Sequence, residues 1–316
     1  MAGWLGCFKE FHDAAAFQGE FRYNEPMSGH TTFQTGGPAD LWIRPAGDCF
    51  PDYGAALLRF AQARGIPVFI LGGGANLVVA DAGIRGIALD TGGYTGALFP
   101  QDAGGGLPRV LVKAGTPMDA LVDEAAERGW SGLEFLAGMP GTVGGAVWMN
   151  ARCMEQSMSG VLEAAVILDE ERRRVTVPLG PADFSYKKSP FQDRDALILA
   201  AVLRARPGSP ERIRAEAARL RQDREQKGHY RAPSAGSVFK NNRAFGAPAG
   251  KIIDELGLRG LAIGGAMVAP WHGNFIINTG NAASADIRAL TEALRERVHA
   301  ARGIRLEPEI RFVGAW

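Results

Sequence analysis

The chain has little of what several classes of protein depend on. Its 3 cysteines, Cys7, Cys49 and Cys153, are odd in number and show no CxxC spacing, which leaves no basis for a disulfide framework or a structural zinc and fits a reducing compartment. A net charge of +1 over 316 residues provides no global field to attract nucleic acid or an anionic membrane. No segment reaches the roughly 20 apolar residues of a membrane span. Lys9, Glu10 and Asp13 interrupt the opening residues, so no secretory leader is expected there. The histidines lack metal-ligand spacing, His272 included, and no metal site is expected. No Walker A motif is present. The expectation is a soluble cytoplasmic protein with a small-molecule partner, no nucleic acid and no membrane, its oligomeric state unset by the sequence.

Glycine is what the chain has in excess: 42 residues, well above the usual share of about 7%. They cluster at Gly36-Gly37, at 72–74, 104–106 and 138–145, and at Gly264-Gly265. Clusters flanked by apolar runs suggest backbone that approaches a ligand closely. Hydrophobic content of 46% and 22% charged residues are ordinary for a globular enzyme.

Along the chain, 1–30 reads as an adapter, partly helical, with Pro26 as a stop. Strands are expected at 39–44, 67–71, 77–80, 86–89, 109–113, 161–169, 174–177 and 196–203, and a helix at 52–64 that Gly65 ends. A further helix at 117–128 is expected with Thr116 as cap and Pro117 first. This mixture predicts an α+β unit over 31–207, closed by Pro207-Gly208-Ser209-Pro210. The arginines of 204–231 alternate with Glu211, Glu216, Asp223 and Glu225, as on a solvated helix face. A smaller α/β unit over 208–316 follows, built from segments at 248–256, 261–268, 274–278, 284–302 and 305–313, the last of them read as a strand.

Two glycine loops offer amides to a phosphate. Gly72-Gly73-Gly74-Ala75-Asn76-Leu77 follows a strand and suits an anion-binding nest. Gly138-Met139-Pro140-Gly141-Thr142-Val143-Gly144-Gly145-Ala146 adds one hydroxyl at Thr142. Neither matches GxGxxG, and no helix is expected directly after either. Each alone reads as a tight turn as readily as a site. Together they suggest a dinucleotide, and the failed Rossmann pattern points to a flavin in a different fold.

Pro233-Ser234-Ala235-Gly236-Ser237-Val238-Phe239-Lys240-Asn241-Asn242 carries the other chemistry. If 237–241 is extended, Ser237, Phe239 and Asn241 share one face and Lys240 points to the other. That is either a hairpin with a polar edge or a proton donor beside an anion-binding group. Glu307, Glu309 and Arg311 would share a strand face, as a surface charge ladder or as a partner for Ser237. Tyr186-Lys187-Lys188 is an exposed basic turn or a cation delivered to a cofactor.

In order, these segments resemble the UDP-N-acetylenolpyruvoylglucosamine reductase (MurB) family along nearly the whole chain. The match runs from Thr31-Thr32-Phe33-Gln34-Thr35-Gly36-Gly37 through both glycine loops, Gly132-Leu133-Glu134, Asn150, and 184–189 to Gly236-Ser237. Ala249-Gly250-Lys251, Asn274 to Asn278 and the 306–312 segment complete it. The resemblance is to the shorter type, without an inserted substrate lid. It implies an FAD-binding domain of the non-Rossmann, vanillyl-alcohol-oxidase (PCMH) type over 31–207 and a substrate-binding domain over 208–316. It further implies that NADPH reduces FAD and that reduced FAD passes hydride to the enolpyruvyl ether of UDP-N-acetylglucosamine, giving UDP-N-acetylmuramate for peptidoglycan synthesis.

By match to the family motifs, Ser237 donates the proton, Glu309 assists the enol and Lys187 binds the substrate carboxylate. Tyr186, Lys240, Asn241, Lys251, His272 and Arg311 match substrate-associated positions. The chain departs from the family's usual pattern at Lys187, where arginine is usual and grips a carboxylate with two parallel bonds. It also departs at Ala75, at Asn242 and at Arg152-Cys153-Met154. The alternatives are a flavin oxidase on the same flavin-binding fold and a flavin-binding paralogue impaired in turnover.

Overall fold

The computed structural model describes residues 3–100 and 108–316; the glycines at 104–106 lie outside them. The chain forms two compact units, each discontinuous in sequence. The first comprises Met1–Tyr23, Leu41–Gly73 and Gly86–Gln222, the second Asn24–Asp40, Gly74–Arg85 and Asp223–Trp316.

The first unit contains a five-stranded antiparallel sheet in the order Arg174–Pro178, Leu162–Leu168, Leu197–Arg204, Arg109–Lys113, Ala97–Leu98. Its central strand, LILAAVLR, is apolar on both faces and buried at nearly every position, as a covered strand must be. The edge strand Arg174–Pro178 alternates exposed and half-buried residues and ends in proline, where a missing N–H leaves no ladder bond unmade. In a four-stranded sheet Val68–Leu71 runs parallel to Ile84–Asp90 and delivers the chain to Gly72. The helix Phe50–Gln62 turns Leu57, Leu58 and Ala61 inward, and Gly65 follows in the left-handed region.

Thr116 does not cap the next helix as expected. Its hydroxyl exchanges hydrogen bonds with the Gly96 backbone, and the helix Met118–Glu127 starts one residue later with Pro117 as N-cap. A second correction concerns the 138–145 loop, which does lead directly into a short helix, Val143–Trp148. Gly144 and Gly145 weaken the intrinsic preference for helix, but close packing overrides it. The Gly144 amide donates to Ala114 O at 2.8 Å, and a Cβ on Gly144 would sit 2.8 Å from that of Ala114.

The second unit holds a three-stranded antiparallel sheet, Ala262–Ile263, Ala266–Val268 and Ile276–Asn278. The 261–268 segment is a hairpin, turned at Gly264-Gly265 with Gly264 at φ +54. The helix Ser284–Arg302 packs on this sheet through Ile287, Leu290, Leu294 and Val298, a spacing of three and four that keeps one face apolar. The Asp81 carboxylate accepts from the Ser284 and Ala285 amides, and Gly303 ends the helix at φ +68. The strand expected over 305–313 is regular only at Arg311–Val313, parallel to Leu77–Val79. Before it, Pro308 makes a single bridge to Phe239, so the segment changes partner near Ile310.

Candidate active site

In the first unit the two glycine loops touch. A Cβ on Gly73 would lie 2.5 Å from Gly141 Cα, and one on Gly72 would lie 2.9 Å from Thr142 Oγ1. Only glycine at 72 and 73 permits this approach. The Thr142 hydroxyl is buried and has no hydrogen-bond partner. The Gly72, Gly73 and Gly141 amides donate to nothing among the described residues. A buried hydroxyl without a partner is rare unless a ligand or water completes it. Unsatisfied amides beside it form the kind of cradle that holds a diphosphate. The residues present therefore fit FAD phosphates.

Other members of the second loop are structural. Asp119 accepts from the Gly138 amide at 2.7 Å and is gripped in turn by Arg221. Met139 N–H donates to Leu136 O, Pro140 is exposed and Ala146 is buried in the helix. Asp119 was not singled out from sequence, because its use depends on a contact 19 residues away.

The same unit carries Tyr186 and Lys187 on a tight turn closed by reciprocal Ser185–Lys188 backbone bonds of 3.1 Å. Lys187 adopts φ +59, a conformation that disfavours residues with a Cβ and tends to mark functional positions. Its carbonyl accepts from Gln192, and its ammonium lies 6.0 Å from the Tyr186 ring centroid. Asn150, itself at φ +45, donates to Ser185 O at 2.9 Å and so ties this turn to the end of the Val143–Trp148 helix. Lys188, a possible substitute for Lys187, is paired with Asp193 at 2.8 Å.

The second unit sets Glu309 against Val238, the neighbour of Ser237 in the chain. Glu309 N–H donates to Val238 O at 2.7 Å, and Lys240 N–H to Glu307 O at 2.9 Å. Ser237 itself bridges Phe275, and its hydroxyl makes no hydrogen bond among the described residues. Val238 and Phe239 are both fully buried, since a strand flanked on two sides inside a core buries both of its faces. Lys240 Nζ pairs with the Glu307 carboxylate at 2.6 Å. Asn241 is exposed, and its Oδ1 accepts from the Ala249 amide at the start of the Ala249–Glu255 helix.

Gly74, Ala75, Asn76 and Leu77 also belong to this unit. Asn76 Nδ2 donates to Glu309 O at 3.0 Å, and Asn76 O accepts from the Arg311 amide. Gly74, at φ +62, packs on the His30 carbonyl where a side chain would overlap it. Lys251 is exposed on its helix, 3.9 Å from Glu255, and the Arg311 side chain is exposed as well.

His272 stacks on Phe275 at 4.1 Å, and its Nδ1 accepts from the Asn274 amide. His229 meets the same Phe275 edge-on at 4.8 Å. Burial holds His272 below its ordinary pKa. It pushes His229 down to about 4, helped by nearby Arg224 and His272. Both rings are neutral at pH 7, and Nδ1 of His272 is free of a proton for the bond it accepts. Among the described residues no cluster of His, Cys, Asp or Glu suits a metal, and no helix is long and apolar enough to cross a membrane.

The family model described as UDP-N-acetylenolpyruvoylglucosamine reductase, C-terminal domain, matches residues 228–313. A model described as FAD binding domain matches 52–170. The UDP-N-acetylenolpyruvoylglucosamine reductase of Treponema denticola is 38% identical over 98% of this chain and 98% of its own length. That of a Synechococcus strain is 37% identical over 98% and 96%. The crystal structure of the reductase (MurB) from Thermus caldophilus aligns with a TM-score of 0.73 and 32% identity, covering 94% of this chain and 99% of that one. The chain belongs to the UDP-N-acetylenolpyruvoylglucosamine reductase family.

Membership in the MurB family settles the fold class read from the sequence: α+β, with a non-Rossmann FAD-binding part and a second, smaller α/β part. Sequence reasoning passed over Asp119 and the roles of Asn150 and Asn274. Each acts through side-chain bonds to backbone far along the chain, for which sequence carries no local signal.

Proposed function

We propose that this MurB-family chain reduces the enolpyruvyl ether of UDP-N-acetylglucosamine to UDP-N-acetylmuramate, with FAD as cofactor and NADPH as reductant. FAD, when bound, supplies hydride chemistry between NADPH and the vinyl carbon of the substrate. Hydride addition there leaves an enolate on the substrate carboxylate, which needs charge stabilisation and then a proton at the neighbouring carbon. The Ser237 hydroxyl delivers that proton and recovers one from solvent. The Lys187 ammonium holds the carboxylate as a single point charge, and Glu309 assists in stabilising the enol. Tyr186, Lys240, Asn241, Lys251, His272 and Arg311 bind the nucleotide sugar; Lys240 exchanges its bond to Glu307 for one to substrate.

The observation that carries this reading is the Glu309 N–H to Val238 O bond of 2.7 Å, which sets a carboxyl-bearing residue against Val238, the residue after Ser237. In functional terms 31–207 serves FAD, 208–316 serves substrate and 1–30 is an adapter. The enzyme works in the cytoplasm, where its substrate is made, without nucleic acid or membrane as partner. The test is product analysis. With NADPH and the enolpyruvyl nucleotide sugar, the FAD-loaded protein should yield a product two hydrogens heavier, with one NADPH consumed per product. NADPH consumption that depends on oxygen, with the substrate recovered unchanged, refutes it.

A further inference from the structure

We propose that Asn274 is a positioning residue that fixes the register between Ser237 and Glu309. The inference rests on the reading of Ser237 as proton donor. Asn274 is 3% exposed, and its amide side chain acts as a substitute peptide for Phe239. Oδ1 accepts from Phe239 N–H at 2.9 Å, and Nδ2 donates to Phe239 O at 2.9 Å. Its own carbonyl accepts from Val238 N–H at 2.8 Å. On the opposite side, Val238 O takes the Glu309 amide and Lys240 N–H reaches Glu307 O. Five consecutive main-chain groups, from Val238 N to Lys240 N, are thereby committed to two flanking segments.

The segment needs this device because it forms no regular ladder. Only isolated bridges hold it, Ser237 to Phe275 on one side and Phe239 to Pro308 on the other, and Pro308 has no N–H to give. A slip of one residue in an extended segment turns every side chain to the opposite face. Such a slip would carry the Ser237 side chain to the face now taken by Val238. Two side-chain bonds to one residue fix the register in a way that one bridge cannot. His272 completes the clamp by accepting the Asn274 amide on Nδ1 at 3.1 Å. Nothing about Asn274 requires contact with substrate or flavin, so its effect is exerted through Ser237.

The experiment uses the FAD-loaded protein, reduced anaerobically with NADPH and then mixed with the enolpyruvyl nucleotide sugar. Asn274→Ala should leave the rate of reduction within about twofold and slow reoxidation at saturating substrate by about 10- to 100-fold, the scale of a misplaced catalytic group. Combined with Ser237→Ala, it should slow reoxidation by less than about threefold beyond Ser237→Ala alone, because the group it positions is already gone. Asn274→Asp keeps the acceptor and loses the amide donor. Its reoxidation rate should recover as pH falls and the buried carboxyl protonates, which also serves if the alanine variant folds poorly. Full multiplication of the two defects, or an unslowed Asn274→Ala with a pH-independent Asn274→Asp, overturns the inference. An unslowed Ser237→Ala overturns the proton-donor reading, and this inference with it.

Discussion

Replacing Gly73 with alanine tests the flavin cradle at its tightest point. The added methyl would lie 2.5 Å from Gly141 Cα and 3.1 Å from its carbonyl carbon. Both obstacles are backbone, so no rotamer change relieves them. Gly73 is absent from the residues with positive φ, so alanine's own backbone preference is not the difficulty. Ordinary contact requires the two loops to part by about 1 Å, and overpacking on that scale costs about 1–3 kcal/mol. Loops parted by the added methyl must close again to grip flavin. The dissociation constant for FAD should therefore rise about 5- to 150-fold. The assay is titration of apoprotein with FAD by flavin fluorescence, with far-UV circular dichroism to show that the fold is kept. Gly145→Ala is the internal comparison for folding, since its Cβ meets only Thr142 Oγ1 at 3.6 Å, and its stability should match or slightly exceed the parent's, because alanine favours the helix it occupies. Gly73→Ala binding FAD within about twofold of the parent would refute the reasoning.

Other consequences follow from particular side chains. Ser237→Ala should leave reduction by NADPH intact and slow reoxidation by substrate about 10²- to 10⁴-fold, the range for a general acid; equal loss in both half-reactions removes Ser237 from that role. Lys187→Asn should keep or slightly raise stability, because asparagine tolerates the φ of +59 found there, yet weaken substrate binding in the reoxidation step; unchanged substrate affinity shows that the lysine charge is unused. His229, with a pKa pushed to about 4 from 6.5, binds its proton less readily folded than unfolded. Stability should therefore fall as pH drops from 6.5 toward 4, by about 1–2 kcal/mol once partial solvent screening is allowed for, and level off below. Urea midpoints measured across that range should show the slope, and His229→Gln should flatten it, leaving the share of His272; a midpoint that rises on acidification contradicts the assignment.

Local pattern made the regular elements legible. Ile287, Leu290, Leu294 and Val298, ended by Gly303, specify the helix Ser284–Arg302 to the residue. The apolar run Leu197–Arg204 could only be a covered strand. Legibility failed where the partner is distant. The bonds of Asn274 to Phe239 span 35 residues, and Asn76 reaches Glu309 across 233. Residues 24–40 and 74–85 group with the C-terminal unit, an arrangement that no periodicity encodes. The extended reading of 306–312 missed the change of partner because Pro308, though compatible with a strand, interrupts its hydrogen bonding. Ser237, Glu309 and the glycine loops were found as motifs, whereas the hydrogen bonds that hold them are visible only in the folded chain.

One flavin site that connects NADPH to the enolpyruvyl nucleotide sugar leaves a direct spectroscopic signature. Under strict anaerobiosis, stoichiometric NADPH should bleach the bound flavin, and one equivalent of the nucleotide sugar should then restore its colour within the turnover time. Flavin that stays bleached with the sugar and regains colour only when oxygen is admitted would contradict the account.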